Sequence, residues 1–172
     1  IQEQRSNMKL PENHKSILSR FKEGPVLLAR AVTGLQETDL DRSPVRGGWT
    51  IRQIVHHIAD GDDIWKASIK MALGNEQEKF NLDWYRKLSQ TEWAERWAYT
   101  KRPIDVSLTL LKANRKQILQ LLEHVPNGWD RSIGFQNPDG SIEKLSVGAI
   151  IEMQADHVEH HVKAIHAILK EK

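Results

Sequence analysis

The stretch Ala155-Asp156-His157-Val158-Glu159-His160-His161-Val162 holds three of the eight histidines of the chain. His157 and His161 are four residues apart, a spacing that places two side chains on one face of an α-helix. Because a buried imidazole needs a partner for each nitrogen, two histidines on an inward face indicate either a metal site or polar partners in the core. The three-four spacing of an inward bundle face is followed by Val147, Ile150, Gln154, His157, His161, Ala164 and Ile168.

The segment before this helix carries the turn signal of a β-hairpin. Two strand-like stretches, residues 133–135 and 142–145, flank Asn137-Pro138-Asp139-Gly140, which is typical of a tight turn. Ser146 then stands where it can cap the last helix, and we expect that helix to run to about Lys170.

The first two helices are bounded by turn and capping signals. Apolar residues follow helical spacing over about residues 12–34, but Gly24-Pro25 interrupts them. Pro25 should kink or split this helix, because it lacks a hydrogen-bond donor and clashes with the preceding turn. Thr50 and Gln53 have the spacing of a capping box, so a second helix should begin there and run to about Leu73.

A long irregular connection follows the second helix. Residues 75–102 concentrate Trp and Tyr around a short helix near residues 91–98, and form either a connection fixed by tryptophans or a wall over a pocket. Pro103 suits the first turn of a third long helix. Four amphipathic helices, with this long crossover between the second and third and a small hairpin before the last, predict an all-α four-helix bundle. We expect residues 1–172 to form this single domain, with residues 1–10 as a flexible arm.

The composition excludes several classes of function. Charged residues make up 28% and hydrophobic residues 39% of the 172 residues, and the formal net charge of +2 includes no basic block typical of nucleic-acid binding. No apolar run approaches the ~20 residues that span a bilayer, and no signal-peptide pattern is present. Cysteine is absent, so imidazole and oxygen would have to hold a metal, and any thiol would come from a substrate. We expect a cytoplasmic protein without nucleic-acid or membrane partners.

A third histidine ligand should come from another helix. His57 is the best candidate, because it borders the apolar inner face of the second helix. His56 is the rival, although its neighbourhood points toward solvent or the helix flank. His160 is one residue off the inward stripe and should face outward or contact a ligand from behind. Surface or helix-end positions fit the remaining three histidines: His14, His124 and His166.

No general base is assigned, so the catalytic residues stay unknown at this point. Asp60, Asp156 and Glu159 neighbour the histidines in sequence, but a solvated surface or a role in orienting a ligand suits each better than catalysis. Trp49 is better explained as a packing residue, and Gln53 as a residue that caps the second helix. The pair also lacks the glutamate beside its first histidine that marks the zinc-protease helix, which excludes a metalloprotease.

The stretch Gly47-Gly48-Trp49-Thr50-Ile51-Arg52-Gln53-Ile54-Val55-His56-His57-Ile58-Ala59-Asp60 resembles the motif of the DinB/YfiT-like metalloenzyme superfamily. In that family a Trp-Ser/Thr helix start precedes a histidine eight positions after the tryptophan, which corresponds here to His57. The His-x-x-x-His pair of the family's last helix corresponds to His157 and His161. The resemblance extends over most of the chain and is loose between residues 75 and 130.

The resemblance implies a homodimeric four-helix bundle that binds a divalent ion, nickel or zinc, through His57, His157 and His161. It implies a metal-dependent hydrolase, or a transferase that joins a low-molecular-weight thiol such as bacillithiol to a small electrophile. Three neutral imidazoles would leave a coordination position open and the charge of the ion uncompensated, which suits both reactions. The alternatives are a non-catalytic, stress-related bundle that the ion only stabilises, and an interaction bundle whose histidines have polar partners.

Overall fold

A computed structural model describes residues 12–171, and the arm predicted for residues 1–10 lies outside them. Four long helices form the predicted four-helix bundle, and shorter elements lie in the connections between them. No helix within residues 12–171 has the length and apolar character needed to cross a membrane. In chain order the elements are α1 (Glu12–Val32), α2 (Glu37–Leu40), α3 (Ile51–Gly74), β1 (Lys79–Asn81), α4 (Asp83–Arg86), α5 (Gln90–Arg96), α6 (Asp105–His124), β2 (Ser132–Gln136), β3 (Ile142–Ser146) and α7 (Val147–Lys170).

The capping residues predicted from the sequence begin two of the long helices. Thr50 and Gln53 form a reciprocal capping box at the start of α3, with the Gln53 amide donating to Oγ1 of Thr50 at 3.2 Å and the Thr50 amide donating to Oε1 of Gln53 at 2.9 Å. Oγ of Ser146 accepts from the amide of Ala149 at the start of α7. Helix α6 begins two residues after Pro103, slightly later than the sequence indicated.

Helix α1 continues through Pro25, so the predicted alternative of a split helix is wrong. Pro25 has no N–H, which leaves the carbonyl oxygen of Phe21 without its helical partner. Nη1 of Arg115 on α6 donates to this oxygen at 2.8 Å. Gly24 makes the approach possible, because a Cβ at this position would collide with Nη1 of Arg115. A side chain of another helix thus replaces the backbone hydrogen bond that proline removes.

The predicted hairpin is present and gains a third strand from the crossover. Strands β2 and β3 pair antiparallel, and Gly140 adopts a φ of +82° in the turn between them. Strand β1 pairs parallel with β2, so the sheet order is β1-β2-β3. Three residues are too few to leave a periodic signal in the sequence, which is why β1 was not expected.

The crossover between α3 and α6 is held by aromatic side chains. The rings of Tyr85 and Trp93 stack with centroids 5.5 Å apart and planes 8° apart, and Nε1 of Trp93 donates to the carbonyl oxygen of Tyr85. Helix α5 lies within two residues of the short helix predicted at residues 91–98, whereas α4 was not expected. The segment is therefore ordered by side-chain packing, as the sequence interpretation allowed.

The apolar core has two parts along the bundle, with charged and polar side chains at the level between them. One part contains Phe21, Ile118 and Ile151, and the other contains Leu28, Leu111 and Val158. On each of the four long helices, a polar residue or a glycine lies between residues of the two parts of the core. These intermediate positions are Gly24, Asp62, Arg115, Gln154 and His157.

Candidate metal centre

Three histidines from two helices converge beside this polar level. Nε2 of His157 lies 3.0 Å from Nε2 of His57 and 3.1 Å from Nε2 of His161. Helix α3 contributes His57, and α7 contributes the pair that its three-four spacing places on one face. Potential ligand atoms of the three side chains lie within 4.8 Å of one another, and within residues 12–171 this is the one cluster of its kind.

The three imidazoles cannot satisfy one another. In a neutral imidazole one nitrogen donates and the other accepts, so Nε2 of His157 can form one conventional hydrogen bond but faces two other nitrogens. At least one of these two close contacts therefore lacks a good hydrogen bond. A divalent cation would accept a lone pair from each nitrogen, so the donor set fits a metal with imidazole ligands.

Burial keeps these imidazoles neutral. It lowers the pKa of His57 to about 3, with His157 and His161 adding to the effect. Burial also lowers the pKa of His157 to about 4, followed by the influence of His161 and then Arg115. The pKa of His161 falls to about 4, first by burial and then by the proximity of His160. At neutral pH all three nitrogens can therefore offer lone pairs without releasing protons.

His56 does not join the cluster, and the expectation that its neighbourhood points toward solvent is wrong. Its side chain is fully buried. Nδ1 lies 2.8 Å from Oγ of Ser107, and Nε2 lies 3.1 Å from the carbonyl oxygen of Arg102. Helix α3 packs against α6 as well as α7, so the flank beside its inner stripe is also covered. His56 therefore joins α3 to the start of α6.

The other histidines lie away from the point of convergence. His160 is exposed, and its ring centroid is 5.2 Å from that of His161, as predicted for a position one residue off the stripe. His124 and His166 are exposed, whereas the ring of His14 is half-buried against Trp129.

Trp49 packs edge-on against His57, with ring centroids 4.6 Å apart. This contact confirms the packing role predicted for Trp49. It also restricts the orientation of the His57 ring. Burial and this aromatic contact together hold the His57 side chain in place.

Each of the three carboxylates near the histidines has a partner. Nε of Arg20 donates to Oε1 of Glu159 at 2.8 Å, and Nη2 of Arg20 donates to Asp156. The hydrogen bond from Arg20 lowers the pKa of Glu159. Asp60 accepts from the hydroxyl of Tyr99 at 2.7 Å. Each of the three carboxylates therefore accepts a hydrogen bond from a side chain in another segment of the chain.

A cavity of about 150 Å³ opens beside His57 and His157. The crossover supplies part of its wall, which supports the second role predicted for residues 75–102. The cavity lies between α3, α7 and the crossover, so a small molecule in it would contact all three. The lining consists of His57, Gly61, Ile64, Trp65, Leu82, Tyr85, Gln90, Met153, Gln154 and His157.

The sequence interpretation missed a buried ion pair at the same level of the bundle. Nε and Nη2 of Arg115 donate to the two carboxylate oxygens of Asp62 at 3.2 and 2.9 Å. Nη2 of Arg115 also donates to the carbonyl oxygen of Gln154 at 2.8 Å. Two signals could have revealed it: Arg115 lies four residues after the inward Leu111, and Gly24-Pro25 leaves space and a free carbonyl oxygen.

Comparison with known proteins places these features in a family. Residues 20–165 match the family model described as the DinB superfamily. A relative from Oceanobacillus iheyensis named "Putative metal-dependent hydrolase" is 31% identical over 156 residues, which cover 90% of this chain and 85% of the relative. A relative of the same name from Geobacillus thermodenitrificans is 27% identical over 164 residues, covering 94% of this chain and 86% of the relative.

Solved structures share the fold. YfiT from Bacillus subtilis, described as a probable metal-dependent hydrolase with an unusual four-helix bundle topology, matches with a TM-score of 0.77 and 24% identity, covering 98% of this chain and 93% of that chain. The mycothiol-dependent maleylpyruvate isomerase matches with a TM-score of 0.65 and 14% identity, covering 91% of this chain and 61% of that chain. At these identities the similarity concerns the bundle rather than the reaction.

Proposed function

The chain belongs to the DinB superfamily, and on that premise we propose that it is a metal-dependent enzyme whose divalent ion is held by His57, His157 and His161. The observation that carries the proposal is the convergence of three neutral imidazole nitrogens that cannot satisfy one another. Because the ligands come from α3 and α7, the site would form only in the folded bundle. The relatives named as metal-dependent hydrolases support this reading.

The chemistry that a divalent ion supplies at such a site is Lewis acidity with an open coordination position. The three imidazoles would bind without adding negative charge, so the protein would leave the positive charge of the ion available to a substrate. Trp49 would hold the ring of His57 in position, and Arg20 would keep the carboxylates of Asp156 and Glu159 away from the ligands.

The reaction that we propose first is hydrolysis of a small molecule. The cavity beside His57 and His157 would hold the substrate, and the aromatic side chains of Trp65 and Tyr85 would exclude bulk water from it. The second candidate is transfer of a low-molecular-weight thiol to a small electrophile. The absence of cysteine fits this second candidate without selecting it, because the thiol would have to arrive with the substrate.

Several finer properties belong to the same proposal. Nitrogen ligands suit zinc or nickel, and we propose one of these as the resident ion. We also propose that residues 1–172 form a single domain that works as a homodimer in the cytoplasm on a small-molecule substrate. The competing proposal is a non-catalytic bundle in which the ion only stabilises the fold.

Turnover by a fully loaded sample separates these possibilities. Protein carrying one zinc or nickel ion per chain is assayed with p-nitrophenyl acetate for hydrolysis, and with monochlorobimane and a panel of small thiols for transfer. We expect turnover in one of the two assays and its loss in His57→Ala. Persistent inactivity of the loaded protein would favour the non-catalytic bundle, and undiminished turnover by His57→Ala would contradict the proposed ligand set.

A further inference from the structure

Gln154 is a buried polar residue that the ligand set leaves unused. It lies one helical turn before His157 on α7, is 3% exposed, and lines the cavity beside the histidine cluster. Its side-chain oxygen Oε1 is buried and has no hydrogen-bond partner within residues 12–171. Buried amide oxygens in native proteins are nearly always paired, so this one requires an explanation.

The backbone of Gln154 is fixed independently of its side chain. Its carbonyl oxygen accepts a hydrogen bond from Nη2 of Arg115, which also binds Asp62. The position belongs to the inward stripe of α7, between Ile150 and His157, where an apolar side chain would stabilise the bundle more. The side-chain oxygen of Gln154 therefore contributes no hydrogen bond to the fold, at a position on the stripe where Leu or Met would be expected.

The remainder of the cavity has a consistent chemical character. Apolar and aromatic side chains form most of its lining, among them Trp65, Leu82, Tyr85 and Met153. No lining residue in the described part of the chain is Asp, Glu, Lys or Arg. Away from the histidine cluster, such a lining favours an uncharged, partly apolar group, because a charged group there would lose its hydration without gaining an ion pair.

We propose that Gln154 binds the substrate by accepting a hydrogen bond from an N–H or O–H group on the uncharged part of a small molecule whose other end reaches the histidine cluster. The inference rests on the proposed function, because the cluster must hold the ion that the substrate approaches. The terminal torsion of glutamine is broad, so the amide can turn its oxygen toward the cavity at little cost. Gln154 would thereby select substrates that carry a donor.

Two thiols that differ only in an amide N–H or an ester oxygen test this role, because the sulfur atom of each can bind the metal ion. Nickel-loaded protein is titrated with N-methyl-2-mercaptoacetamide, which has an N–H, and with methyl 2-mercaptoacetate, which has an ester oxygen at that place. Binding is followed by sulfur-to-nickel charge-transfer absorption. We expect the affinity ratio of amide to ester to fall by about tenfold in Gln154→Met, which is the size expected for one neutral hydrogen bond to a buried acceptor.

The outcomes distinguish this inference from the proposed function. An unchanged ratio in Gln154→Met, with both thiols still bound, would overturn the role of Gln154 and leave the metal site intact. Absence of the absorption with either thiol at saturation in loaded wild-type protein would contradict an open coordination position, and the role of Gln154 would fall with it.

A second measurement needs no metal. If Gln154 is retained for binding, Gln154→Met should not destabilise the metal-free protein, and the midpoint of thermal unfolding should stay equal or rise by about 2–4 °C. Gln117→Met is the matched control, because Gln117 is exposed on α6, and it should leave the midpoint nearly unchanged. A clear fall specific to Gln154→Met would show a structural hydrogen bond and overturn the inference.

Discussion

The Arg115–Asp62 pair and the histidine cluster lie in one bundle, and they differ in how far their polar atoms are satisfied. The guanidinium of Arg115 donates to both carboxylate oxygens of Asp62 and to the carbonyl oxygens of Phe21 and Gln154. Among the histidines, the close contacts join Nε2 of His157 to Nε2 of His57 and of His161. The first cluster is complete within the protein, whereas the second requires a further group.

This difference in hydrogen bonding indicates that the two clusters have different roles. Arg115 on α6 contacts α1 through Phe21, α3 through Asp62 and α7 through Gln154, so one side chain joins the four long helices. The same α3 and α7 carry the three histidines. The Arg115–Asp62 pair thus fixes the helices at the level of the bundle where the histidine cluster can bind a ligand. A rigid scaffold positions the residues of a binding site in this way.

The largest effect should follow from breaking the satisfied cluster. Arg115→Met leaves the carboxylate of Asp62 buried without its partner and removes the donor to the carbonyl oxygen of Phe21. We expect the free energy of unfolding of the metal-free protein to fall by about 3–5 kcal/mol, measured by urea denaturation. In the double variant Asp62→Leu with Arg115→Met, much of this loss should be recovered because no charge remains buried. A loss below about 1 kcal/mol in Arg115→Met would contradict the importance of the pair.

Acid should act mainly on the unsatisfied cluster. The pKa of His57 is lowered from 6.5 to about 3, so below pH 6.5 the unfolded chain takes up a proton that the folded protein does not. Stability is therefore full above pH 6.5 and is lost progressively as the pH falls toward about 3. For His57 alone the loss at pH 5 is up to about 2 kcal/mol, at about 1.4 kcal/mol per pH unit.

His57→Gln provides the matched comparison for this acid effect. Denaturation of the metal-free variant and wild type at pH 7 and pH 5 should show a smaller loss in the variant, because one proton-binding difference has been removed. Equal losses in the two proteins would show that His57 is not held neutral by burial.

Alanine substitutions at two helical glycines, one beside each cluster, should change the free energy of unfolding by smaller amounts. A Cβ at Gly24 would collide with the guanidinium of Arg115, whereas a Cβ at Gly61 would lie 3.6 Å from Cε1 of His157, an ordinary contact. We expect Gly24→Ala to lower the free energy of unfolding by about 1–2 kcal/mol through disturbed hydrogen bonds. Gly61→Ala should raise it by up to about 1 kcal/mol, because alanine is the better helix former. Denaturation of both variants checks the opposite signs, and a change of the same sign in both would contradict the difference in packing.

Local signals in the sequence predicted much of this fold. Three such signals are the Thr50–Gln53 capping box, the cap at Ser146 and the turn at residues 137–140. Each is formed by residues close together along the chain, so it can be recognised from the sequence alone. The inward placement of His57 and of the pair on α7 followed from helical spacing in the same way. The prediction that His57 on α3 meets the histidine pair on α7 rested on the family resemblance and on the expected four-helix bundle.

The features that the sequence did not reveal depend on contacts between distant segments. Strand β1 exists because three residues of the crossover meet β2, and His56 is buried because α6 covers a second flank of α3. Arg115 received no assignment from the sequence, because its partner Asp62 lies 53 residues away along the chain. Burial of a polar side chain is set by what lies opposite it, which spacing within one helix does not specify.

Metal titration of purified histidine variants shows whether His57, His157 and His161 together hold one ion. Metal-free wild-type protein is titrated with zinc and with nickel by calorimetry, and bound metal is counted by elemental analysis after desalting. We expect one tightly bound ion per chain in wild type and in the control His160→Ala, whose side chain is exposed. We expect none in His57→Ala, His157→Ala or His161→Ala. Stoichiometric binding retained by folded His57→Ala would contradict this expectation.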